Sequence, residues 1–138
     1  QTTMNIPILW YANAGTPLVD AVEAGYWVLP ISKKIISWDE KNYFILKVEG
    51  TSMNNFEIKW KLIENWSYVL IKKDETYLNN SDAFLFLVNW SATLKKYKKD
   101  WDLIYLLPES NDSYHKPIIL SEDDNIMVNW KIVDVFSF

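Results

Sequence analysis

Cysteine is absent from these 138 residues, which excludes a disulfide framework and any thiolate metal site. Histidine occurs once, at His115. A lone imidazole removes His-rich metal centres and makes a Ser-His-Asp triad hard to build. Basic charge is scarce too: 14 Lys and Arg face 18 Asp and Glu, for a net charge of −4 and a pI near 4.9. That balance argues against a nucleic-acid surface here; the one basic cluster is Lys95, Lys96, Lys98 and Lys99. No apolar run approaches the roughly 20 residues a membrane helix needs, and no signal peptide is visible. The expectation is a soluble, cytoplasmic product without metal, cofactor or membrane contact. The chain opens on Gln1 rather than Met, so it is expected to be a fragment of a longer protein.

Glycine is the most telling shortage. The chain holds 3 Gly but 8 Trp, where an average share of about 7% would give roughly ten Gly. Three of the tryptophans follow Asn, in Asn65-Trp66, Asn89-Trp90 and Asn129-Trp130, and one follows Asp, in Asp100-Trp101. Asn-Gly and Asp-Gly are the strongest short hairpin signals, because a type I′ turn needs φ > 0 at both central residues. A bulky residue is an outlier there. With Gly in place of Trp, "LVNWSATL" and "KKDWDLIYLL" become ordinary two-residue hairpins. Trp10, Trp38, Trp66, Trp90, Trp101 and Trp130 fit turns or strand ends, whereas Trp27 and Trp60 do not declare themselves. All eight read as positions where UGA codons stand for glycine; the contrasting reading is a genuine Trp-rich binding face.

Residues 1–12 read as a linker running into an extended segment. Residues 13–30, "NAGTPLVDAVEAGYWVLP", hold two of the glycines and two prolines, which is loop or hairpin chemistry. From residue 42 onward the pattern is strands: "NYFILKVEG", "SYVLIKKD", "AFLFLVN", "ATLKKYKK", "DLIYLLPE", "KPIIL" and "NIMVNWKIVDVFSF", rich in β-branched and aromatic residues and separated by turn signals. Without a helical period, this predicts a single all-β domain over residues 31–138.

The chemistry centres on Ser52 and Lys95, 43 positions apart. A serine hydroxyl is a weak nucleophile and needs a base. Without a usable His, a lysine can serve if burial lowers its pKa from about 10.4. Strand alternation puts Thr93 and Lys95 on one face and Leu94 and Lys96 on the other, so only one of the two lysines enters a cleft. Ser52 follows Gly50, where the chain can turn sharply, and the backbone N–H groups of Ser52 and Met53 are candidates for an oxyanion hole. Ala14-Gly15 is a bond between small residues in a loop-like stretch, which a nucleophile can approach closely. Together these suggest a protease that cuts its own chain. His115, in "SYHKPIIL", reads as a loop residue, and Glu122, Asp123 and Asp124 as a solvated acidic turn.

These motifs resemble the LexA-like self-cleaving peptidase family, which includes LexA and phage repressors and UmuD-like polymerase subunits. "IPILWYANAGTPL" resembles the cleavage segment, and "FILKVEGTSM" the strand and turn of the nucleophile, falling on Ser52. "VNWSATLKKY" resembles the strand of the catalytic lysine, falling on Lys95. "IENWSYVLI", "IYLLPESNDSYHKPIIL" and "IMVNWKIVDVF" resemble later family segments, with Trp66 and Trp130 where the family has Gly. The Ser52-to-Lys95 spacing is long for the family, with the extra residues in "NNFEIKWKLIEN" and "ETYLNNSD".

The resemblance implies a compact β fold whose 13–30 loop folds over the active site. Ser52 would attack the Ala14 carbonyl, Lys95 would take the proton, and Ser52 and Met53 would hold the oxyanion. It also implies a homodimer, with "KIVDVFSF" as a pairing edge, and activation by a RecA-type filament in the DNA-damage (SOS) response. DNA would be bound only through a separate N-terminal domain. The function expected is the self-cleaving C-terminal domain of a transcriptional repressor. The alternatives are a UmuD-like translesion polymerase subunit, a β dimerisation module with a dead site, and a signal peptidase, which lacks its anchor here.

Overall fold

Apolar residues at every second position carry most of the chain into strands. The computed structural model describes residues 2–9, 27–36, 40–75, 77–88, 91–124 and 126–138. Among them are β1 (Thr3–Leu9), β2 (Val28–Ser32), β3 (Tyr43–Lys47), β4 (Glu57–Ile58), β5 (Lys61–Leu62), β6 (Tyr68–Glu75), β7 (Ala83–Val88), β8 (Ser91–Asp100), β9 (Leu103–Leu107), β10 (Ile118–Ser121) and β11 (Ile126–Phe136), with one 3-10 turn at Glu40–Asn42. No helix among the described residues is long and apolar enough to cross a membrane.

Nine strands form one sheet in the order β10-β9-β8-β7-β11-β6-β3-β1-β2, and β4 and β5 make a separate hairpin. Neighbours are antiparallel except β1 and β3, which run parallel. The protein is all-β, as the pattern predicts, and each of the seven strands expected after residue 42 forms. The sheet also reaches further towards the N-terminus than expected. Residues 3–9, read as part of a linker, lie between β2 and β3 with Ile6 and Ile8 buried. The next strand, β2, begins at Val28, inside the stretch assigned to the loop.

Both faces of the sheet are covered. Phe44 and Leu46 of β3, Val69 and Ile71 of β6, and Leu85 and Leu87 of β7 share one core with Met53 and Ile63. Their strand neighbours point the other way: Tyr43, Ile45 and Leu70 join Ile6, Ile8 and Ile31, while Phe84, Phe86 and Val88 join Tyr97 and Leu106. Burial on both faces explains why β7 reads as a continuous apolar run, Ala-Phe-Leu-Phe-Leu-Val, rather than an alternation.

Three tight turns put tryptophan at positive φ. Lys59 and Trp60, at φ 49° and 70°, join β4 to β5 as a two-residue loop with Ile58 opposite Lys61, the signature of a type I′ turn. Asp100 pairs with Leu103 across Trp101-Asp102, and there Trp101 has φ 55°, as the first central residue of a type II′ turn does. In the third turn, Ser67 N–H donates to the Glu64 carbonyl at 3.1 Å, and Trp66 has φ 69° as the third residue, the position at which a type II turn calls for Gly. Asn65 shows no positive φ, so this turn is not the type I′ expected of Asn-Trp. Val88 pairs with Ser91; Trp10, Trp38, Asn89 and Trp90 lie outside the described residues.

Asn129-Trp130 departs from its reading as a turn. Both residues lie within β11, next to a register shift between Trp130 and Lys131, and the Trp130 ring packs edge-on to Phe44 at 5.8 Å. The sheet takes β11 as an inner strand because it carries apolar residues for both cores, Ile132 and Val135 on one side and Val133 and Phe136 on the other. Among the described residues its first part, 126–129, pairs with β7, Trp130 and Lys131 pair with both β7 and β6, and 132–136 pair with β6 alone. Only that half of "KIVDVFSF" keeps the unpaired side expected of an edge. The first extra segment of the Ser52-to-Lys95 interval becomes the β4–β5 hairpin. Its Lys61 and Lys59 reach the buried carboxylate of Asp134 at 2.7 and 3.7 Å.

Candidate active site

Gly50 turns the chain sharply after β3. Its φ of 101° strains any residue with a side chain, and its N–H donates to Asn65 Oδ1 at 2.8 Å. Two overlapping turns follow, with Asn54 N–H on the Thr51 carbonyl at 3.2 Å and Phe56 N–H on the Met53 carbonyl at 3.0 Å. Met53 is buried in the core that contains Leu85 and Leu94. That anchor seats the turn on the sheet and leaves Ser52 half-buried at its tip.

Lys95 comes from β8, opposite Phe84 of β7. Its Nζ lies 3.1 Å from Ser52 Oγ, 2.8 Å from Thr93 Oγ1 and 3.2 Å from the Leu94 carbonyl. The alternation works as expected: Lys96 points elsewhere and pairs with Glu109 at 3.0 Å. The long Ser52-to-Lys95 spacing therefore does not separate the pair, and the first of its two extra segments folds out as the β4–β5 hairpin.

Burial holds the Lys95 pKa below its usual 10.5. Among the described residues every ion pair uses another lysine, and no carboxylate reaches Lys95. Desolvation of the ammonium is thus not offset by a counter-charge. Three acceptors match the three protons of the charged amine. When one proton leaves, Thr93 and Leu94 still orient the remaining two, and the lone pair faces Ser52. Beside the hydroxyl, neither the Ser52 nor the Met53 backbone N–H has an acceptor among the described residues. Two such donors at a serine can receive an oxyanion.

Ala14 and Gly15 lie outside the described residues. The acidic turn is a surface feature: Asp124 accepts from Ser121 N–H at 2.8 Å, and Glu122 pairs with Lys99 at 3.0 Å. His115 is a loop residue, as read, but its Nε2 lies 2.9 Å from Thr51 Oγ1. Thr51 also bonds to Asp112. Sequence reasoning missed this cluster, although a hydroxyl directly before the candidate nucleophile was the available signal.

The site thus sets a serine beside a half-buried lysine without a counter-ion among the described residues, on an all-β scaffold. The Peptidase S24-like family model matches residues 7–133, and the chain belongs to that family. It is 35% identical over 133 residues to a LexA repressor of Clostridium novyi (strain NT), covering 96% of this chain and 60% of the relative. A LexA repressor of Clostridium botulinum (strain Hall) is 32% identical over 136 residues, covering 99% and 61%. One from Alkaliphilus oremlandii (strain OhILAs) is 32% identical over 133 residues, covering 96% and 58%. The chain thus spans about 60% of the length of the curated relatives it matches.

Proposed function

We propose that this chain is the self-cleaving C-terminal domain of a LexA-like repressor, a serine endopeptidase that cuts its own Ala14-Gly15 bond. The observation that carries the reading is the 3.1 Å contact between Lys95 Nζ and Ser52 Oγ, made by a half-buried lysine without a counter-ion among the described residues. Neutral Lys95 takes the Ser52 proton as Oγ bonds to the Ala14 carbonyl carbon. The Ser52 and Met53 N–H groups hold the resulting oxyanion. Collapse breaks the Ala14–Gly15 C–N bond, and the Lys95 ammonium returns its proton to the leaving Gly15 amine. Water, deprotonated by the same lysine, then hydrolyses the acyl-enzyme. The repressor reading is favoured over a polymerase subunit because the relatives are LexA repressors longer than this chain. In such a protein, DNA binding belongs to the remaining length, a RecA-type filament favours the docked cleavage loop, and the half-free side of β11 at 132–136 is where a second copy pairs.

The test is intact mass against time at mildly alkaline pH, without a partner, beside a Ser52→Ala control. Two fragments split at Ala14-Gly15, absent from the control, are expected. No cleavage across the alkaline range overturns the reading in favour of a dimerisation module. The pH dependence has a definite sign. The active form is the neutral amine, so the rate rises with pH through the lowered Lys95 pKa. The midpoint of that rise lies below the ordinary lysine value of 10.5. A midpoint at or above that value counts against Lys95 as the base.

A further inference from the structure

The nucleophile turn is held by a second loop that the proposed chemistry does not use. After β9 the segment 109–115 runs alongside residues 51–55. Glu109 N–H donates to the Ser52 carbonyl at 2.8 Å, and Asn55 N–H donates to the Glu109 carbonyl at 2.9 Å. Asn54 and Asn111 exchange two bonds: Asn54 Nδ2 donates to Asn111 Oδ1 at 2.8 Å, and Asn111 N–H donates to Asn54 Oδ1 at 3.1 Å. Meanwhile the Glu109 carboxylate takes the Lys96 ammonium at 3.0 Å. One residue therefore ties the carbonyl of Ser52 to the strand that carries Lys95.

Thr51 closes this clasp at the residue before the nucleophile. Its hydroxyl has one proton and meets a carboxylate, Asp112 Oδ2, so that proton goes to Asp112. His115 Nε2, at 2.9 Å, must then be the donor to Thr51 Oγ1. This order excludes Thr51 as a nucleophile activated by His115, because the ring presents N–H rather than a lone pair. The Tyr114 hydroxyl adds a contact to Thr51 at 3.3 Å, and its ring lies 4.1 Å from the His115 ring.

We infer that the His115–Thr51–Asp112 chain is a positioning device for Ser52, with Thr51 as its key residue. It rests on the self-cleavage reading. A serine displaced by about 1 Å loses on the order of a hundredfold in rate, and the clasp is what fixes the Ser52 backbone against β8. Thr51→Val keeps the shape and removes the hydroxyl, whereas Thr51→Ser keeps the hydroxyl.

The experiment follows self-cleavage across the alkaline range for both variants. Thr51→Val is expected to lower the plateau rate by about tenfold or more. The midpoint of the pH profile should stay in place, because Lys95 burial sets it, and Thr51→Ser should remain within about twofold of the parent. A second readout needs no cleavage: amide exchange by NMR in a Ser52→Ala background. There Thr51→Val is expected to speed exchange of the Glu109 and Asn55 amides, which the clasp protects. Unchanged exchange overturns the clasp whether or not the parent cleaves. A parent that does not cleave, with exchange accelerated, refutes the proposed function and leaves the clasp standing. A Thr51→Ser variant as slow as Thr51→Val also overturns it.

The turn geometry carries a second inference independently. Trp60, Trp66 and Trp101 take three different turn types, and each stands where its type calls for glycine. Trp60 and Trp101 are 92% and 91% exposed, so packing does not account for them. The geometry points to glycine at these three positions in the protein its own host makes, with UGA codons decoded as glycine. Trp27 and Trp130 lack positive φ and carry no such signature. Sequencing the gene and weighing the corresponding peptides of the natively made protein decides it. UGA codons with glycine-mass peptides are expected; UGG, or a peptide with the mass of Trp, overturns the inference at that position.

Discussion

Lys95→Arg is expected to stop self-cleavage while leaving the fold intact. The reasoning separates charge from proton exchange. In the resting site the Lys95 ammonium satisfies Ser52 Oγ, Thr93 Oγ1 and the Leu94 carbonyl, and a guanidinium can donate to the same acceptors. It cannot become a base, because its pKa lies above about 12. Lysine can, since burial already holds its pKa low. General-base catalysis contributes on the order of 10²–10⁴ in rate, so at least a hundredfold loss is expected in the intact-mass time course. The thermal midpoint should change little by comparison. Cleavage by Lys95→Arg within tenfold of the parent would mean that another group takes the Ser52 proton. Thr93→Val should have a smaller effect, because it removes one of the two partners that orient the neutral amine and leaves the lone pair intact.

The Ser52–Lys95 contact was legible because each member sits in a local pattern with a geometric meaning. Gly50 before Ser52 marks the sharp turn, and alternation in "ATLKK" separates Lys95 from Lys96; the structure realises both, with Lys96 turned to Glu109. The strands after residue 42 were legible for the same reason. What local pattern could not reveal is pairing between distant segments. The strand β1 has a two-residue period in Ile6 and Ile8, but Pro7 and the short length make it look like a linker until β2 and β3 flank it. The place of β11 between β6 and β7 is likewise a long-range fact, and it turned an expected Asn-Trp turn into strand interior. His115 reads as a loop residue because one imidazole without neighbours in sequence suggests nothing; its partner Thr51, and through it Asp112, arrive through the fold. The type of turn was also beyond the sequence. Asn-Trp marked the centre of the turn at residues 65–66, whereas Asp100-Trp101 fell one residue short of it, because Asp100 still pairs with Leu103 and the turn centres on Trp101-Asp102; whether φ turns positive at the first, second or both central residues depends on the strands being joined.

Replacing Trp60, Trp66 and Trp101 together by glycine is expected to stabilise the protein, against the usual direction of tryptophan-to-glycine changes. A non-glycine residue at positive φ costs of order 1–3 kcal/mol. Glycine returns that strain but adds roughly 0.5–1 kcal/mol of backbone entropy to the unfolded chain. At Trp60 and Trp101 the exposed rings have almost no packing to lose. Trp66 is 49% exposed, with Lys47 Nζ 5.3 Å from its ring centre, a contact worth about 0.5–1 kcal/mol at an exposed site. The net is about 1 kcal/mol per site at the first two and smaller at the third, so the triple variant should gain roughly 2–3 kcal/mol. For a domain of this size that raises the melting temperature by about 6–12 °C. Trp130→Gly is the control with the opposite sign. Trp130 has no positive φ, and its ring packs against Phe44, so removing it should cost about 2–4 kcal/mol by opening a cavity. Thermal melts of the triple variant, of Trp130→Gly and of the parent separate the cases. A triple variant that melts at or below the parent would mean that the three turns tolerate their tryptophans, and the strain assigned to positive φ is then absent.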